Sequence, residues 1–134
     1  MIFAKFVFTV AGILGILQLL PLYFLFDFIG RRTPPGINHP EYYFGFAGVA
    51  LAWQIVFLVI GKDPQRYRAV MVPSILEKAS WVLTLVVLSA QHRIGISTVL
   101  LAPSDFVLGM LFIASYAKPS RVRGLHPSMS AFWL

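Results

Sequence analysis

A chain of 134 residues that is 58% hydrophobic and only 12% charged has too few polar side chains to clothe a soluble domain, so a water-soluble globular protein is excluded. The absence of cysteine excludes disulfides, thiolate chemistry, iron–sulfur clusters and Cys-type zinc sites. The net charge of +6 is read as basic loops facing anionic lipid rather than as a nucleic-acid surface.

Four apolar runs, residues 6–29, 42–60, 69–90 and 96–116, occupy most of the chain. Each is near the ~20 residues an α-helix needs to cross ~30 Å of hydrocarbon. The first run lacks the short apolar core and small-x-small cleavage site of a secretory signal, so it is expected to be a retained helix. Within it Pro21 removes a backbone donor and leaves the Leu17 carbonyl without its helical partner. Asp27 and Arg31, four residues apart, suit a surface ion pair of small worth. Thr33, Pro34, Pro35, Gly36, Asn38 and Pro40 then form a loop that cannot continue a helix. Tyr42 and Tyr43 follow at interface depth.

The second run ends in a tight turn over residues 61–68 that contains Asp63 and Pro64, and the third in a very short loop over 91–95. Short connections force antiparallel neighbours, which predicts an up-down-up-down bundle. In the fourth run Pro103 leaves the Val99 carbonyl unpaired. A distortion is predicted there, with 96–102 as a separate turn and Ser104 or Asp105 capping a new segment. The expected fold is all-α: an integral membrane antiparallel four-helix bundle over residues 1–117, with helix 4 kinked near Pro103. A basic tail over 118–134 ends in Phe132, Trp133 and Leu134, suited to the inner membrane surface or to a partner protein.

Positive charge sets the orientation. Lys5, Lys62, Arg66, Arg68, Lys118, Arg121 and Arg123 fall on one side, and Arg31, Arg32 and Arg93 on the other. Both termini are therefore expected in the cytoplasm, in a multi-pass protein of a bacterial inner-membrane type. Small residues mark close helix approach: Ala11, Gly12 and Gly15, then Gly45, Ala47, Gly48, Ala50 and Ala52, then Gly109, Ala114 and Ser115. The phenylalanines stand largely at lipid-facing spacing.

The polar residues inside the runs are Gln18, Gln54, Glu77, Lys78 and Asp105. A central Asp, Lys or Arg costs ~2.5–3.5 kcal/mol on the insertion scale, so each needs a reason. At ~1.5 Å per residue all five fall within a slab of roughly 10 Å. Ser74, Glu77 and Trp81 share one face of helix 3, and Asp105, Gly109 and Phe112 one face of helix 4. Lys78, rotated ~100° from Glu77, is expected to snorkel toward the headgroups. Glu77 and Asp105 are expected to face the interior, close enough to share a proton or a bridging group. Two ionised carboxylates there would repel, so one is expected to carry a proton. Gln18 or Gln54 would supply further hydrogen bonds. The candidate ligand-binding or polar-core set is Glu77, Asp105, Gln18, Gln54, Ser74 and Trp81, with no catalytic set. It suits a network that fixes helix register, a site for quinone or another lipophilic ligand, or a proton path. His39, His92 and His126 lie away from mid-span, so no haem or buried metal cage is expected.

Several stretches resemble the DoxX-like group of small four-helix membrane proteins. They are His39-Pro40-Glu41-Tyr42-Tyr43 with the run 45–53, Ile75-Leu76-Glu77-Lys78, and Ser104-Asp105-Phe106-Val107-Leu108 with Phe112 and Tyr116. The resemblance implies the four-helix fold and Glu77 and Asp105 as site residues. Because some members are linked to quinone-coupled oxidation of sulfur compounds, it also implies quinone as a cofactor. The lack of cysteine argues against a thiol-based role.

Three functions are carried forward. The first is a protein that binds a quinone or other lipophilic ligand, and it predicts a cavity open to the bilayer. The second is a non-catalytic accessory subunit of a larger membrane complex, whose polar core is too small for a ligand. The third is an oligomeric proton-coupled carrier. Expected partners are membrane lipid, a larger complex or further copies of the chain, and not nucleic acid.

Overall fold

A computed structural model of the chain describes residues 2–32 and 36–118. The aromatic tail end expected to meet membrane or partner lies outside the described residues. Helix α1 (Ile2–Leu19) runs into a 3-10 turn (Leu20–Tyr23), and α2 (Phe26–Arg32) follows. Helix α3 spans Pro40–Lys62, and α4 (Met71–Ala90) is entered by a 3-10 turn (Arg68–Val70). The last stretch is α5 (Ile96–Val99) followed by α6 (Ala102–Ala117). Four helical stretches, Ile2–Tyr23, Pro40–Lys62, Arg68–Ala90 and Ile96–Ala117, have mean hydropathy between 1.6 and 2.1 and the length to cross a bilayer. The described residues contain no strand. The chain is a small multi-pass integral membrane protein with the expected all-α bundle fold.

Both prolines act where the sequence places them. At Pro21 the α-helix tightens into the 3-10 turn, and the Phe24 and Leu25 amides both donate to the Pro21 carbonyl. The first helix therefore ends short of the expected residue 29, and residues 26–32 form a separate helix. The Tyr43 hydroxyl donates to the Leu22 carbonyl at 2.7 Å, so a side chain of α3 satisfies backbone in this irregular stretch. Asp27 and Arg31 are both exposed on α2 and form no ion pair; Arg32 instead stacks on Phe28 at 4.9 Å.

In the fourth stretch the helix breaks at Leu100–Leu101, and Pro103 takes the first turn of α6, where its missing donor costs nothing. Neither expected cap forms. The Ser104 hydroxyl donates back to the Leu101 carbonyl at 3.0 Å, and Asp105 is engaged elsewhere. Helix α4 ends with His92 at φ 55°, while the Arg93 amide donates to Leu88 and the His92 amide to Ser89, an αL termination usually given to glycine.

Side-chain meetings fix an antiparallel register. Along α4 and α6, Arg68 meets Tyr116 and Lys78 meets Asp105. Along α1 and α6, Phe3 meets Lys118 and Phe8 meets Phe112. The residue-61 end of α3 abuts Lys5 and Thr9, and Gln54 abuts Gly12 and Gly15. Helix α1 packs most closely on α3, and α4 on α6, whereas α3 and α4 barely touch despite being consecutive.

The core lies toward the end that holds Lys62 and Arg68. Phe8, Phe57 and Phe112 are fully buried there, one from each of α1, α3 and α6. Phe8 and Phe112 stack at 4.2 Å, and Phe57 meets each edge-on. Such pairs contribute about 0.5–1.5 kcal/mol beyond their burial. These three depart from the lipid-facing expectation, which holds for Phe6, Phe24, Phe28, Phe44, Phe46 and Phe106, all of them exposed.

A candidate polar site at the bundle centre

Lys78 is the centre of the site, and the sequence reading had assigned it elsewhere. It is 6% exposed and does not snorkel. Its Nζ donates to Asp105 Oδ1 at 2.7 Å and lies 3.6 Å from Glu77 Oε2. The same ammonium sits 5.3 Å from the centre of the Phe57 ring. Snorkelling loses because Asp105 stands at the same depth on the facing helix. A buried ammonium with a carboxylate at contact distance recovers much of its desolvation cost. Gly109 lies beside the stem, where a Cβ would stand 3.4 Å from Lys78 Cβ, at van der Waals contact. Asp105, Gly109 and Phe112, spaced on one face of α6, thus meet the ammonium, the stem and the aromatic core in turn.

The expected bridging group between Glu77 and Asp105 is this ammonium, not a shared proton. Its positive charge attracts both carboxylates at these two distances. Glu77 remains the less satisfied partner. Its side chain is 22% exposed, and its Oε2 is buried with no hydrogen bond, since 3.6 Å is too long for one. The Ser80 hydroxyl reaches only the Glu77 backbone carbonyl.

The remaining expected members divide. Trp81, one turn beyond Glu77, stacks on Phe46 of α3 with centroids 5.2 Å apart. Ser74 is buried on the same face and donates to the Val70 carbonyl of its own helix at 2.8 Å. Gln54 is buried, but its Nε2 donates to the Ala50 carbonyl and its side chain lies against Gly15, on the α1–α3 interface. It does not serve the carboxylates. Gln18 is exposed. The buried positions of α1 end at Gly12, so one turn and a half further on the helix has left the core and its polar residue faces outward. Convergence of four helices on one polar centre reduces to α4 and α6 with the Phe57 ring of α3.

No family model, characterised protein or solved structure matches this chain. The site is therefore read on its own chemistry. A buried ion pair with one further carboxylate offers an acceptor that awaits a donor, in a setting where water is scarce.

Two surface grooves among the described residues lie elsewhere. One of about 280 Å³ is lined by Leu17, Leu20, Pro21, Phe24 and Leu25. The other, about 260 Å³, is lined by Ile55, Val56, Val59, Ile60, Tyr67 and Val70.

Proposed function

We propose that this integral membrane protein binds a lipophilic molecule bearing a hydrogen-bond donor, of the quinol or lipid-hydroxyl class, at the Glu77 side of the polar centre. The observation that carries the reading is the buried Glu77 Oε2 without a donor, 3.6 Å from an ammonium already committed to Asp105. An unmade hydrogen bond at a buried acceptor costs about 1–3 kcal/mol, more when it is charged, and a ligand hydroxyl would recover it. The sparse α3–α4 contact and the flat Phe46–Trp81 stack beside Glu77 supply an apolar approach for a ring. The DoxX-like resemblance points to the same ligand class.

Native mass spectrometry of the protein extracted from its own membrane tests this. A retained small lipophilic molecule is expected, lost in Glu77→Gln with little change in melting temperature. A shifted melting temperature with the bound molecule unchanged would make the carboxylate purely structural. A second reading, an accessory subunit without chemistry, draws on a different observation: neither groove touches the polar centre, and Lys78 and Asp105 close on each other. Retention of a partner protein and no small molecule would select it.

The proposed orientation has both ends of the bundle chain in the cytoplasm. It is supported by Lys5, Lys62, Arg66, Arg68 and Lys118 at one end against Arg31, Arg32 and Arg93 at the other. In cysteine variants treated with an impermeant thiol reagent from outside, Gly36→Cys should label and Gln65→Cys should not. The opposite pattern reverses the orientation.

A further inference from the structure

An apolar groove runs between the end of α3 and the start of α4, away from Glu77. Its walls are entirely hydrocarbon and aromatic: Ile55, Val56, Val59 and Ile60 from α3, Tyr67 and Val70 from the entry to α4. At about 260 Å³ it is smaller than the ~300–1,000 Å³ of sites that enclose a drug-sized ligand, and it opens onto the lipid-facing surface. It suits a chain lying along the helices rather than an enclosed head.

What distinguishes it from the 280 Å³ groove is its rim. Ile55, Val59 and Lys62 follow one another on one face of α3 at i, i+4, i+7, which puts Lys62 on the groove-lining face of the helix, toward its end. Arg66 lies near the Tyr67 wall, its guanidinium 5.6 Å from the centre of that ring. Both basic side chains are exposed. Asp63 is the acidic residue in this turn, and its Oδ1 is occupied by the Arg66 backbone amide at 3.2 Å. Arg68 is not part of the rim, because its guanidinium donates to the Tyr116 carbonyl at 2.7 Å on the far side of α4.

We infer that this groove is a site for one anionic phospholipid of the bilayer, with an acyl chain along the Val59–Val70 floor and the phosphate between Lys62 and Arg66. An apolar trough near two exposed cations at the end of the membrane-spanning helices matches the two halves of such a lipid. Each cation near an anionic lipid surface contributes on the order of fivefold in affinity, so two give a preference of tenfold or more over a zwitterionic lipid.

The test uses the full chain, delipidated in detergent and offered phosphatidylglycerol and phosphatidylcholine at equal concentration, with bound lipid counted by native mass spectrometry. The unmodified protein should retain phosphatidylglycerol at least about tenfold over phosphatidylcholine. K62Q/R66Q should bring the ratio near one, and R31Q/R32Q at the opposite end should leave it unchanged. Val59→Trp, which fills the trough at a surface position, should lower retention of both lipids with the charge intact. Equal binding of the two lipids by the unmodified protein overturns the site. So does a preference that survives K62Q/R66Q, or one that falls equally in R31Q/R32Q. Retention unaltered by Val59→Trp overturns the groove as its seat. Melting of each variant in phosphatidylcholine micelles, expected within a few degrees of the parent, certifies that the fold is intact.

Discussion

Lys78→Met should be the most damaging single polar substitution in this protein, costing about 3–5 kcal/mol of unfolding free energy. Methionine fills the channel beside Gly109 well enough, so lost packing is a small part of the effect. The larger part is electrostatic. Without the ammonium, Asp105 loses its 2.7 Å partner and faces Glu77 as a second unpaired carboxylate in a setting without bulk water. Removing one partner of a buried pair leaves a stranded charge, whereas removing the whole group often costs little. The triple variant K78M/D105L/E77Q should therefore recover most of the loss. Denaturant titration in mixed micelles measures both. A Lys78→Met cost below about 1 kcal/mol, of the order of a surface pair, would mean that the triad is solvated and contributes little.

The cost of polar groups in lipid made this site legible and also limited the reading. Hydropathy and two prolines are enough for four spans, their order and a break near Pro103, which falls about two residues earlier than expected, because spanning length and backbone hydrogen bonding leave few alternatives. Glu77 and Asp105 could be singled out for the same reason. Lys78 was misplaced because a lysine stem allows both snorkelling and pairing. Which one wins depends on whether a carboxylate waits across the interface at the same height. That is a fact about α6, which helix 3 alone does not carry. A signal was present: a lysine at mid-span facing a helix that offers Asp and Gly four residues apart.

Gln18 and Gln54 failed for a different reason. Equal depth brings side chains together only where helices stay in contact along their length, and the buried positions of α1 stop at Gly12. Polar residues at equal height then need not share a centre. Phe8, Phe57 and Phe112 could not be separated from the lipid-facing phenylalanines, because in a bilayer inside and outside are equally apolar and the helical period of hydrophobicity carries little contrast.

The same lack of contrast makes small residues decide helix pairing, and here the second large effect is expected. A Cβ on Gly12 would stand 2.8 Å from the Gln54 carbonyl oxygen and 2.8 Å from Leu58. The carbonyl belongs to a helix backbone, so relief requires α1 and α3 to separate. That is the most extensive interface in the bundle, and Phe8, one turn away, anchors the aromatic core to it. Gly12→Ala should cost about 1–3 kcal/mol, the range of overpacking in a filled interior, and Gly12→Leu more. Gly45 in α3 supplies the opposite sign, since nothing lies within 4 Å of a Cβ there. At that position alanine should gain about 0.5–1 kcal/mol from restricting the unfolded chain. Denaturant titrations of Gly12→Ala and Gly45→Ala in one micelle system compare the two directly. If both substitutions stabilise, α1 and α3 do not approach as closely as the Gly12 contact requires.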